Sequence, residues 1–136
     1  MQPETSAALR SIWEQVHSDA GMPFPATIAA LIQLGVNRYR VDYVASNVTA
    51  YIRDEAEITS IPIRGAKAGQ TTWNGEGLVQ AIRNAQSGKG NYHDFSAASI
   101  AAGVTDYTVY FDGKKVVYNS AIGESHTEWF PGAKQD

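Results

Sequence analysis

Leu9, Ile12, Trp13 and Val16 fall at i, i+3, i+4 and i+7. Apolar residues at that spacing share one side of a helix and predict that this side is buried. Pro3 and Glu4 suit the first turn of the helix, and Gly21 its stop. Pro23 and Pro25 break the chain and open a second helix, with Ile28, Leu31 and Ile32 predicted inward and Gly35 just past its end. From Arg38 the period drops to two. Tyr39, Val41 and Tyr43 alternate with Arg38, Arg40 and Asp42, the pattern of a half-buried strand. Val48 to Arg53 and Glu57 to Ile63 predict two more strands, with Pro62 marking an edge or an end.

The same order then recurs. Leu78, Ala81, Ile82 and Ala85 repeat the first helical pattern, and Gly88 ends it. Asn91 with Asp94 three residues on has the form of a capped helix start, and that helix is predicted to run to Gly103. Strands follow at about Asp106–Phe111, Lys114–Asn119 and Glu124–Phe130, the first two joined at Asp112-Gly113, a type I′ hairpin signal. Gly35-Val36…Tyr39…Val41…Tyr43 reads against Gly103-Val104…Tyr107…Val109…Phe111 at an offset of 68 (103 − 35). Tyr51 aligns with Tyr118, and Glu57 with Glu124, at 67.

The reading is an α+β chain built by internal duplication of an ααβββ unit. Antiparallel strands carry helices on one face, and the halves are related by a pseudo-twofold axis. Copy one spans about 3–63, a Gly/Ala/Thr/Lys-rich linker about 64–75 and copy two about 76–132, within a single domain of 136 residues. Whether the two sheets join edge to edge or face each other is left open. Tyr39/Tyr107, Val41/Val109 and Tyr43/Phe111 are expected in the core, and Arg38, Arg40 and Asp42 on a solvated face that differs between copies.

Composition narrows the classes. The apolar fraction of 43% and charged fraction of 18% are those of a folded domain. The net charge of −3, with no basic run, disfavours phosphate-backbone binding, so no nucleic-acid partner is expected. The absence of cysteine excludes disulfides and thiolate chemistry. No long apolar run and no signal-like opening is found, so no membrane partner is expected and the expected location is the cytoplasm.

Candidate chemistry is sparse. Glu124, His126 and Glu128 share one strand face at spacing two, where the alignment places Glu57, Thr59 and Ile61 in copy one. Two carboxylates flanking an imidazole serve a divalent metal or a catalytic base, with Asp42 or Tyr118 brought near by strand pairing. The same trio equally forms a solvated face with cross-strand ion pairs. His126 is the candidate metal ligand, and no cofactor is expected. Tyr118 and Tyr51 read either as core rings with a bonded hydroxyl or as cleft residues. Trp73, alone in a polar linker, must bury its ring, against the junction of the copies or a partner. Together with Asp42 these are the candidate binding residues. His93, in a first turn, is expected exposed. His17, late in its helix, is placed where a charged imidazole favours the dipole. Ser125 and His126, adjacent on a strand, point to opposite faces and form no nucleophile–base pair. Gly65 and Gly69 lack the residues of a phosphate loop.

Gln86-Ser87-Gly88 with Tyr92 and Phe95, Ala101-Ala102-Gly103-Val104 with Tyr107, Tyr118, and Gly123 to Pro131 carry a resemblance. Gly35-Val36, Tyr39, Val41 and Asp42 extend it to copy one. Over about residues 24–132 the chain resembles an uncharacterised family of small bacterial and prophage-associated proteins, often labelled phage envelope protein-like. The resemblance implies no known activity or cofactor. It implies only that Glu124, His126 and Glu128 belong to a recurring motif.

Three functions follow as expectations. The first is a non-enzymatic binding or accessory domain using the groove between copies. The second is a metal-assisted hydrolase using Glu124, His126 and Glu128. The third is a structural protein or homo-oligomer using an exposed sheet edge.

Overall fold

A computed structural model describes residues 1–133. The elements are α1 (Pro3–Val16), α2 (Phe24–Gln33), β1 (Arg38–Asp42), β2 (Asn47–Ile52), β3 (Glu55–Ser60), α3 (Gly75–Gln86), α4 (Tyr92–Ala101), β4 (Val104–Tyr110), β5 (Lys115–Ser120) and β6 (Ser125–Trp129). The fold is α+β. All six strands form one antiparallel sheet in the order β3-β2-β1-β4-β5-β6. The question of how the two three-stranded meanders meet is settled at β1 and β4, which pair edge to edge. The register there sets Arg40 opposite Thr108, with Arg38 opposite Tyr110 and Asp42 opposite Asp106.

Period-two burial decides which face carries the helices. Tyr39, Val41 and Tyr43, with Val48, Ala50, Tyr107, Val109, Phe111, Val116 and Tyr118, are all under a tenth exposed. Leu9, Trp13, Leu31, Leu78, Ile82 and Ile100 from the helices join the same core cluster. The fully buried leucines each contribute about 2 kcal/mol of transfer free energy. α1 packs with α2, and α3 with α4, so two helix pairs stand side by side on one sheet face. α4 begins with a capping box: the Asn91 side chain accepts from the Asp94 N–H, and Asp94 accepts from the Asn91 N–H. No helix among the described residues is long and apolar enough to cross a membrane.

The sequence pattern misplaces several details. Ile32 is 53% exposed, while Thr27 and Leu31 are buried. Ile32 lies one residue, or ~100°, around the helix from Leu31 and so turns outward. α1 ends at Val16 rather than at Gly21, because the His17 ring and the Ser18 hydroxyl bond back to the carbonyls of Trp13 and Gln15. The Asp112-Gly113 turn is not type I′. The left-handed residue is Lys114 (φ 55), whose N–H donates to the Phe111 carbonyl at 3.2 Å, closing a four-residue loop. Ser46 (φ 58) sits the same way at the β1–β2 turn. The predicted strands β2 and β3 start one to two residues late.

Tyr51 and Tyr118 are not counterparts. Tyr51 pairs with Arg38 on the open face, whereas Tyr118 pairs with Tyr107 on the helix-covered face. A one-residue slip in alignment moves a side chain to the other face. Counting outward by register, Ala50 pairs with Tyr39 and Tyr118 with Tyr107. Glu57 then pairs with Ala50, and His126 with Tyr118. Thus Glu55, Glu57 and Thr59, not Glu57, Thr59 and Ile61, occupy the places of Glu124, His126 and Glu128.

Candidate ligand-binding site

The two helix pairs leave a cleft of about 480 Å³ over the middle of the sheet. Its floor carries Tyr39, Tyr107 and Tyr118, projected from β1, β4 and β5 by the strand alternation. One wall is Trp13 and His17 at i, i+4 on α1, and the opposite wall is Tyr92 and Phe95 on α4. Phe24 from the start of α2 and Phe130 after β6 meet edge to face, with centroids 5.8 Å apart. The lining is mostly aromatic and aliphatic. A smaller hollow of about 300 Å³ beside Met1, Leu34 and Glu55 is shallower and has no aromatic side chain in its wall.

The aromatic rings form two contiguous groups, one around Trp13 and Tyr39 and one around Tyr107, Tyr118 and Phe95. Trp13 lies 5.2 Å from Tyr39, Tyr107 lies 5.2 Å from Tyr118, and Tyr118 lies 6.3 Å from Phe95. Tilted and edge-to-face contacts of this kind stiffen the walls beyond their area burial. The Tyr92 and Tyr107 hydroxyls bond to each other. Burial pushes the phenols of Tyr39, Tyr43, Tyr92, Tyr107 and Tyr118 above their ordinary value, so all five stay protonated and keep an O–H to donate. Tyr43 is fully enclosed, and its hydroxyl has no partner among the described residues.

His17 is neutral rather than charged. Burial lowers its pKa, and that outweighs the hydrogen bond to the Trp13 carbonyl that favours the cation. Its Nδ1–H donates to Trp13 O at 2.8 Å, since a carbonyl only accepts. His93, expected exposed, is 7% exposed. Its Nε2–H donates to the His17 carbonyl at 2.7 Å, and this bond ties α4 to the end of α1.

The predicted site residues part company. Tyr118 and Glu128 line the cleft. His126 pairs with Tyr118 across β5–β6, its Nε2 3.2 Å from Glu128 Oε1. Glu128 also accepts from Arg83 on α3 at 2.8 Å and from Gln86 at 3.5 Å. Burial alone would raise the Glu128 carboxyl. The hydrogen bonds from Arg83 and His126 and the Arg83 charge reverse that, and its pKa lies below 4.5. Glu124 stands apart, in the turn before β6, with its N–H donating to the Ser120 hydroxyl at 3.0 Å. Among the described residues no three acidic or histidine side chains converge as a metal-holding group.

Asp42, Tyr51 and Trp73 lie outside the cleft. Asp42 shares the open face with Arg40, and its Oδ1 accepts from the Val44 and Ala45 N–H groups at 2.9 Å, holding the β1–β2 turn. The Arg38 guanidinium covers the Tyr51 ring at 3.7 Å. Trp73 packs half-buried on the core edge, its backbone against Gly103 (φ +96), where an added Cβ would approach Trp73 Cα to 2.8 Å. Asp42 is thus not brought near His126, while Tyr118 is.

Residues 10–125 match a family described as "Protein of unknown function (DUF1398)". The chain belongs to this family. The matched span holds Trp13, His17, Tyr39, Tyr92, Tyr107 and Tyr118, and ends before His126 and Glu128. No curated protein matches the chain. The floor and walls of the cleft therefore lie within the family's span, except for the β6 rim.

Residues that the sequence pattern assigned first to core or cap turn out to line the cleft: Tyr39, Tyr107, Trp13 and His17. The available signal was their aromatic excess on a single strand face, together with Trp13 and His17 one helical turn apart.

Proposed function

We propose that the chain is a non-enzymatic binding domain that takes a small, largely apolar molecule into the cleft between its helix pairs. The observation that carries this is the cleft itself. Some 480 Å³, walled by aromatic rings with a few hydroxyls, falls within the range of small-molecule sites. Tyr118 and Glu128 are its members among the sequence candidates. Asp42 and Tyr51 brace the open face, and Trp73 seats the linker.

The test is titration with 1-aminoanthracene, a neutral fluorescent apolar molecule. Saturable one-to-one binding is expected, weakened at least about tenfold in Ala85→Trp. Ala85 is an exposed residue at the rim of the cleft, so the new ring blocks entry without crowding the core. Unsaturable binding, or binding indifferent to Ala85→Trp, would sink the reading.

The two halves are proposed to descend from a duplicated ααβββ unit around a pseudo-twofold axis. The β1–β4 register, symmetric about Arg40 and Thr108 at the offset of 68, supports this (108 − 40). The resemblance to proteins labelled phage envelope protein-like supports a bacterial or prophage origin. The metal-assisted hydrolase has less support, because Arg83 and His126 already hold Glu128 and Glu124 stands off. Its test is a divalent-metal thermal shift on the wild type and His126→Ala.

A further inference from the structure

The charges around the cleft restrict what fits it. Among the described residues no Arg, Lys or Asp lines the cleft, and Glu128 is its one carboxylate. That carboxylate is held by Arg83, at 2.8 Å, and by His126. An anion entering would lose its water and meet no free cation. A cation would find aromatic faces, but its only carboxylate partner is already paired. A neutral molecule suffers neither penalty.

The polar groups on the floor are phenols, and the wall at the end of α1 adds Trp13 Nε1 and His17 Nε2, both buried without a partner among the described residues. Tyr92 and Tyr107 satisfy each other. Tyr39 and Tyr118 are 4% and 5% exposed and both line the cleft. Among the described residues neither hydroxyl has a hydrogen-bond partner. Burial keeps both phenols protonated. They stand on β1 and β5, either side of β4, and so each presents an O–H group to the cleft. A ligand oxygen supplies a partner to a hydroxyl that the protein leaves without one.

We infer that the ligand is a neutral, ring-containing molecule whose inner end carries a hydroxyl or carbonyl oxygen, bonded to the hydroxyl of Tyr39 or Tyr118. The rings of Trp13, Phe95 and Tyr118 hold its flat body, and its outer end lies beside the Phe24–Phe130 pair. This rests on the cleft being a binding site, and the experiment separates the two ideas.

Four matched probes are titrated by calorimetry near neutral pH: naphthalene, 2-naphthol, 2-naphthoate and N-methylquinolinium. Naphthalene is expected to bind saturably, and 2-naphthol about tenfold tighter, the gain of one to two hydrogen bonds. The naphthoate and quinolinium ions are expected to bind at least about tenfold more weakly than 2-naphthol. The double variant Tyr39→Phe/Tyr118→Phe keeps both rings. It should bind naphthalene as the wild type does, which also reports an intact cleft, and should lose the preference for 2-naphthol. If naphthalene binds but 2-naphthol gains nothing, or the double variant keeps the preference, this inference falls and the binding function stands. An ion binding as tightly as 2-naphthol also overturns it. If none of the four binds, both ideas fall.

Discussion

The two halves of the chain share a layout and differ at the outer strands. In the first half the core-facing rows run outward from Tyr39 and Val41 through Ala50 and Val48 to Glu57 and Thr59. In the second they run from Tyr107 and Val109 through Tyr118 and Val116 to His126 and Glu128. Ala50 is fully buried, a small residue that does not line the cleft. The matching place in the second half holds the Tyr118 ring, and there the cleft opens. Both outer strands are tied to a helix by an arginine. Arg10 reaches Glu57 at only 3.7 Å, while Arg83 reaches Glu128 at 2.8 Å with Gln86 and His126 adding bonds. One backbone plan therefore carries either a small buried alanine or a tyrosine ring bordering the cleft, and the choice lies in a few side chains.

The comparison breaks most visibly in the shared core. Leu9 and Leu78 hold matching places and are both fully buried. Each truncation to alanine is expected to cost about 2–5 kcal/mol in urea unfolding. Costs that differ severalfold would mean that the halves are not equally packed.

Gly35 and Gly103 come next. Both have positive φ, at +89 and +96, so a side chain at either is strained, by roughly 1–2 kcal/mol. They differ in crowding. A Cβ at Gly35 meets Ile52 at an ordinary 3.6 Å, whereas at Gly103 it collides with the Trp73 backbone at 2.8 Å. Gly103→Ala should therefore destabilise roughly twice as much as Gly35→Ala. Equal effects would show that the linker yields freely.

The outer strands sharpen the comparison through pH. The Glu128 pKa is depressed in the folded chain, so its ionised form contributes stability above 4.5 that is lost as pH falls through the folded value. Glu128→Gln should lower stability at pH 7 and flatten the acid limb. Glu57→Gln should change stability at pH 7 less. Denaturant midpoints at pH 7 and about pH 3.5 read both.

The smallest effect belongs to His17. Its folded pKa lies below 6.5, so below that pH the unfolded chain takes up the proton first and stability declines. His17→Asn should remove that slope between about pH 7 and pH 5. A slope unchanged by the substitution would locate the titration elsewhere.

Much of the architecture was legible because periodicity is local. The 3.6 spacing of Leu9, Ile12, Trp13 and Val16 and the alternation from Arg38 to Tyr43 each reflect a single element burying a single face. The Asn91–Asp94 cap was legible for the same reason. Errors arose where a neighbour in space decides. His93 reads as exposed until α4 lies against the end of α1. Ile32 reads as inward until the helix phase is set by Leu31. The Asp112-Gly113 signal failed because the loop has four residues and places its left-handed residue at Lys114. Of the candidate site, Tyr118, His126 and Glu128 were legible as strand neighbours and Glu124 was not, since it precedes the strand.

By itself the sequence determined the order of helices and strands, the buried faces of α1, β1 and β4, and the absence of thiol chemistry. These follow from side-chain spacing along the chain. Only the tertiary structure decided that β1 and β4 join the two meanders into one sheet, that Tyr51 and Tyr118 stand on opposite faces, and that two helix pairs part over a floor of tyrosines. Strand register and helix separation depend on contacts between residues far apart in sequence, and no local pattern encodes the space left between them.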